Sequence, residues 1–199
     1  IIEAGKEPLP GWGCMGRRKA PMLFAEQECG MYSVDDLVVY GGEGVCRVEK
    51  IAPLDMRGVE KSKLYYTLSP LYGTGHVMTP VDTAVLMRPV MSRQDAEELV
   101  QQLPQLPEER PERPGMRALR EHYQAIVASY DCRRMASLIK TVKHKRRWAL
   151  AHGRKLSQMD ERYFHRAWEQ LFGELAAALQ LPREQAEQYA EAISPGWYK

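Results

Sequence analysis

The sequence predicts an α+β protein, a small antiparallel β-sheet or barrel followed by an all-α half. Three observations carry that expectation. Between residues 31 and 91 the apolar residues come in short β-prone runs, separated by turns that hold glycine or proline. From residue 92 onward they recur instead at spacings of three and four, the period of a helix face. Pro104, Pro107, Pro111 and Pro114, set among Glu and Arg, punctuate the helical half near its start and predict an extended, fairly stiff linker over residues 104–115.

The first strand is Leu37-Val38-Val39-Tyr40, which runs into the turn Gly41-Gly42-Glu43-Gly44. A second strand over 45–51 alternates irregularly and ends before a turn at 55–58. Residues 63–71 form the third. The loop Tyr72-Gly73-Thr74-Gly75 then returns the chain, its glycines free to take positive φ. His76-Val77-Met78-Thr79 is the fourth strand, stopped by Pro80, which has no N–H for a ladder. Ala84-Val85-Leu86-Met87 is the fifth. Five short strands at close spacing predict a strongly bent sheet or barrel. At about 60 residues it lies near the lower limit for a self-sufficient core.

Ser92 with Asp95 three residues on reads as a helix N-cap, followed by Ala96, Leu99, Val100 and Leu103. After Gly115 two stripes follow, one of Ala118, Leu119, Tyr123, Ile126 and Val127, the next of Met135, Leu138, Ile139 and Val142. Gly153 interrupts them. Ser157 with Asp160 caps a long helix whose apolar face runs from Met159 to Leu175, and Pro182 opens a short last helix through Ile193. Amphipathic helices of this kind must bury their faces on one another. Residues 1–30 carry no sustained period and read as a disordered leader or non-native extension. A basic arm on Arg17, Arg18 and Lys19 is the alternative.

Of 199 residues, 44% are hydrophobic and the net charge is +2, so total charge says nothing of partners. No apolar run reaches about 18 residues, and no membrane association is expected. Cys14, Cys29, Cys46 and Cys132 form no CxxC pair and read as free thiols of a cytoplasmic protein. The phosphate-loop, nucleophile-elbow, HExxH and dinucleotide fingerprints are absent, and the five histidines are not at metal-ligand spacing. The expectation is a non-enzyme without cofactor or metal.

Charge is uneven along the chain. Lys140, Lys143, His144, Lys145, Arg146 and Arg147 follow one another without an acid, with Arg133 and Arg134 before them and Arg154 and Lys155 after. Lys140, Lys143 and Arg147 share a helix face, and Arg117 with Arg120 sits at the start of the preceding helix, where free backbone N–H groups favour a phosphate. These residues point to DNA backbone contact with little base readout. An ordinary solvated basic face is the alternative.

The run from Met31 to Tyr40, followed by Gly44 and Val48-Glu49-Lys50-Ile51, resembles the start of the CarD/CdnL family of bacterial RNA polymerase-binding transcription regulators. The hairpin of Tyr65–Leu68 with Val77–Pro80 is similar, as are Leu138-Ile139-Lys140 after Asp131 and Gly173-Glu174-Leu175. The resemblance spans residues 31 to about 181 and rests on the order of these segments. It implies a Tudor-like β-barrel that binds the RNA polymerase β subunit through Val77, Met78, Thr79 and Pro80. Met78 stands where some members have Arg. It also implies a helical domain that contacts promoter DNA at the upstream edge of the melted bubble, acting on open-complex stability as a monomer. The family wedges a Trp into the minor groove, and alignment on Ser129 and Asp131 puts Met116 there. Met116 is either a wedge of another shape or a helix-start packing residue, and Trp148, read as lying in a neighbouring loop, is the candidate substitute. A pure protein-interaction adaptor that never touches DNA is the competing class.

Overall fold

A computed structural model describes residues 32–54, 62–111 and 115–197. The leader at 1–30 and the turn at 55–58 lie outside the described residues, as do Cys14, Cys29 and Pro114. The β half is a five-stranded antiparallel sheet of β1 (Leu37–Tyr40), β2 (Gly44–Pro53), β3 (Leu64–Pro70), β4 (Val77–Pro80) and β5 (Met87–Pro89), in the order β4-β3-β2-β1-β5. Gly42 and Gly44 take φ of +103° and +81° in the turn between β1 and β2, a backbone region that glycine enters without steric cost. The irregular alternation of β2 is a bulge: its register on β3 shifts between Val48 and Lys50.

Successive residues of a strand face opposite ways, and in β1 both faces are buried. Val38 and Tyr40 join Cys46, Val48, Tyr66 and Leu68 in the core of the sheet. Val39 and Val45 turn the other way, against Tyr130 of the helical half with Leu86, Val90 and Ala177 around them. That double burial is why Leu37-Val38-Val39-Tyr40 is apolar throughout instead of alternating.

The sheet bends but does not close. Its edges, β4 and β5, form no ladder with each other, which corrects the barrel to an open curl. Strands of four and three residues offer too little backbone for closure, and side chains span the gap instead. The Tyr40 hydroxyl donates across the curl to Thr79 Oγ1 at 3.1 Å. Tyr32 adds two further links: its N–H donates to the Tyr66 hydroxyl at 2.9 Å and its own hydroxyl donates to the Met87 carbonyl at 3.1 Å. The fifth strand also lies further along than its apolar run suggests. Thr83 Oγ1 accepts the Val85 N–H, Leu86 accepts the Gly41 N–H, and pairing with β1 begins only at Met87.

The helical half comprises α1 (Arg93–Gln102), a single 3-10 turn (Leu103–Gln105), α2 (Met116–Ser129), α3 (Cys132–Ala151), α4 (Gln158–Leu179) and α5 (Arg183–Ile193). Ser92, Asp131 and Ser157 cap α1, α3 and α4 by accepting backbone N–H groups of the first turn. Tyr123, Ile126, Met135, Leu138, Ile139, Val142, Ala167, Leu171, Phe172 and Leu175 are buried together, with α4 at the centre.

Sheet and helices share an interface within one compact unit, Met31–Lys199. Arg88 of β5 forms a two-pronged ion pair with Glu174 of α4, at 2.6 and 2.7 Å, and donates to the Tyr130 carbonyl at 2.7 Å. The Met91 N–H and the Cys132 thiol, each at 3.1 Å, complete the donors around the buried Glu174 carboxylate. Tyr130, in the left-handed conformation at φ 52° between α2 and α3, also accepts the Gly42 N–H on its hydroxyl. Tyr72 donates to the Gly173 carbonyl at 3.2 Å, and a Cβ on Gly173 would sit 3.3 Å from the Tyr72 ring. The Gly173-Glu174 pair thus serves the junction, the glycine by admitting a ring and the glutamate by receiving an arginine.

Candidate functional site

Two surfaces carry the residues singled out in the sequence. The first is the edge strand β4, which among the described residues pairs only with β3, through Leu68↔Val77, Thr67↔Met78, Tyr66↔Thr79 and Tyr65↔Pro80. Val77 leans on the sheet core and Thr79 is buried beneath the Tyr40 hydroxyl. Met78 is half exposed, so it is not a core residue. Pro80 ends the edge. An open edge offers unpaired backbone donors and acceptors to an incoming strand, and Met78 adds a deformable apolar contact beside them.

The second surface is built on α2 and α3, and there the structure divides the cations. Lys145 points inward: its ammonium donates to Asp160 Oδ1 at 3.0 Å and to the Tyr123 hydroxyl at 2.8 Å, lying 5.2 Å from the Tyr123 ring centre. Asp160 is itself fixed by Ser157, which caps α4. Lys140 donates to the carbonyls of Pro104 and Leu106, both at 2.8 Å. Lys143 lies 5.4 Å from the ring centres of Phe164 and Trp168, and Arg146 5.2 Å from Phe164. Burial against those rings, then the charge of Arg146, holds the Lys143 ammonium below the usual lysine range. Arg147 and Arg120 are exposed, and Arg117 is exposed and pairs with Glu121 one turn on at 2.9 Å.

Met116 is the first residue of α2 and is 64% exposed, which removes the helix-start packing role. Trp148, on the last turns of α3, is 52% exposed. Its indole stacks on His152 at 4.3 Å between ring centres, and the Arg154 guanidinium lies 5.6 Å from the indole centre. Trp148 and Leu119, one turn after Met116, line one cleft of about 300 Å³. An exposed aromatic, two cationic neighbours in Arg147 and Arg154, and an exposed methionine therefore gather at one end of the α2–α3 pair. The sequence signal for this was present in the flanking arginines, but nothing in the spacing said that Trp148 stays outside the core.

Among the described residues no group of three or more His, Cys, Asp or Glu side chains could hold a metal ion, and no helix is long and apolar enough to cross a membrane. Cys46 and Cys132 are free thiols. Burial, reinforced by Glu43, pushes the Cys46 thiol up to about 11. Burial, with Glu174 adding to it, pushes Cys132 well above its ordinary value. Both are expected to resist a maleimide at pH 8 in the native protein and to react after denaturation. Peptide-level mass spectrometry checks this, and native labelling of either thiol would contradict it.

Sheet edge and cationic helix end are the two candidate faces of one α+β unit. Residues 32–91 match the family model described as the CarD-like/TRCF RID domain, the RNA polymerase-interacting domain of CarD/CdnL-type proteins. No curated protein matches the chain.

Proposed function

We propose that the chain is a non-catalytic, cytoplasmic transcription regulator. It docks on the RNA polymerase β subunit through the β4 edge and lays the α2–α3 end against promoter DNA, modulating the stability of the open complex. The observation that carries the reading is the unpaired β4 edge, with Met78 exposed on it, inside a domain of the polymerase-interacting family. The DNA half rests on Trp148 with Arg147 and Arg154, supported by Met116, Arg117, Arg120, Lys143 and Arg146. Cations there neutralise phosphates, and an exposed indole or thioether can lean on a base step.

Two variants separate the halves. Met78→Glu changes an exposed side chain, so it should leave the melting temperature unchanged while abolishing capture of the polymerase β subunit. The pair Arg147→Glu with Arg154→Glu should keep that capture and weaken binding to a forked duplex about tenfold or more at low salt, flattening the salt dependence by roughly two phosphate contacts. Wild-type capture by Met78→Glu would remove β4 as the docking edge. The adaptor reading is favoured by the intramolecular partners of Lys140 and Lys145. It prevails if the wild-type protein fails to shift the fork at low salt.

A further inference from the structure

From within the 3-10 turn onward the chain forms a strap, residues 104–111, laid in the groove between α2 and α3. No helix or strand holds residues 106–111. They are held by side chains of α2 and α3. The Glu109 N–H donates to Thr141 Oγ1 at 2.8 Å. The Glu109 carboxylate meets His122 Nε2 of α2 at 3.0 Å and Arg134 Nε of α3 at 3.4 Å. Glu108 meets His144 Nδ1 at 2.6 Å, and that hydrogen bond, ahead of the nearby charges of Arg110 and Lys140, keeps its carboxyl below the usual range. Lys140 closes on the carbonyls of Pro104 and Leu106.

The strap therefore presents two carboxylates and two carbonyls to Arg134, Lys140 and His144, along the side of α3 that leads to Trp148. Oxygen acceptors, two of them anionic, thus already occupy donors of Arg134, Lys140 and His144. The N–H donors that these side chains turn to the strap are not at the same time turned to a phosphate. We propose that the Glu108–Glu109 strap is a built-in competitor for nucleic acid on α3: phosphates displace it, and Arg134, Lys140 and His144 join the contact only when it lifts. This rests on the DNA-contact reading above and adds a regulated portion to that surface. The strap has little regular structure to lose, so its release can occur without unfolding the helices, as local openings do.

The test uses a forked duplex as probe and the full chain. Thr141→Val removes the acceptor for the Glu109 N–H without changing charge, and Thr141→Ser keeps it. If the strap competes, Thr141→Val raises affinity roughly three- to tenfold, a shift of the size a coupled equilibrium produces, and Thr141→Ser leaves it at the wild-type level. Glu108→Gln with Glu109→Gln raises it beyond the isocharge control Glu161→Gln with Glu169→Gln, whose acids are exposed on α4. Hydrogen exchange at the Glu109 amide, slow in the free protein, accelerates when the duplex is added. Binding by the wild type with no gain in either strap variant, or a Glu109 amide that slows on binding, overturns the competitor and leaves the DNA reading standing. No shift by any variant at low salt overturns both.

Discussion

Arg88→Met is expected to cost the fold about 3–5 kcal/mol, the range for breaking a buried ion pair by removing one partner. In a chain of this size that lowers the melting temperature by roughly 10 °C. The carboxylate of Glu174 is 2% exposed while Arg88 is 31% exposed. Taking Arg88 away strands a charge that has no route to water and keeps only the Met91 N–H and the Cys132 thiol as donors. Taking Glu174 away leaves an arginine that can swing outward, so Glu174→Leu should cost less. The double variant Arg88→Met with Glu174→Leu should recover part of the loss, because both charges then leave the interior together. Denaturant unfolding of the three proteins measures the order. An Arg88→Met protein within about 1 kcal/mol of the wild type would show that the pair is not what holds β5 to α4.

The second large effect separates cations that look equivalent in the sequence. Lys145→Ala removes the ammonium from Asp160 and Tyr123, leaving a carboxylate 10% exposed with only its cap partner and the tyrosine hydroxyl. Since Lys145 is partly solvated, the loss is smaller than for Arg88, on the order of 2 kcal/mol. Arg147→Ala, two residues on and exposed, should leave the melting temperature where it is and weaken binding to a forked duplex instead. Thermal melts and mobility shifts on both variants decide the matter. A Lys145→Ala protein that melts with the wild type but binds DNA poorly would return Lys145 to the nucleic-acid surface.

Much of the fold could be read from the order of residues, because the features that specify it are local. Ser92 with Asp95 and Ser157 with Asp160 act across one helical turn, and both caps form where the pattern put them. The glycine turn after Tyr40 needs only its own positive φ. The fifth strand was displaced because its pairing is set by Tyr40 and Gly41, some 46 residues away. The open curl was hidden for a similar reason: closure depends on what the two edge strands meet in space.

The candidate site was legible as charge and illegible as assignment. A run from Lys140 to Arg147 without an acid looks uniformly available, but the acids that engage it, Glu108 and Asp160, come from other segments. Only folding shows that Lys145 is structural and Arg147 free for solvent. Met78 and Met116 have one identity in the sequence and could each have been core. Their exposure follows from an edge strand in one case and a helix start in the other.

Tyr130 joins a sheet turn, a strand arginine and two helices through one ring, one hydroxyl and one carbonyl. Contacts gathered there tie the β half that carries the Met78 edge to the helices that carry the Trp148 end. A flexible tether would let each end search for its ligand and would reward any geometry within reach. On the two-partner reading proposed above, a body so tied works as a gauge: two ligands are held together only when they already stand the set distance and angle apart.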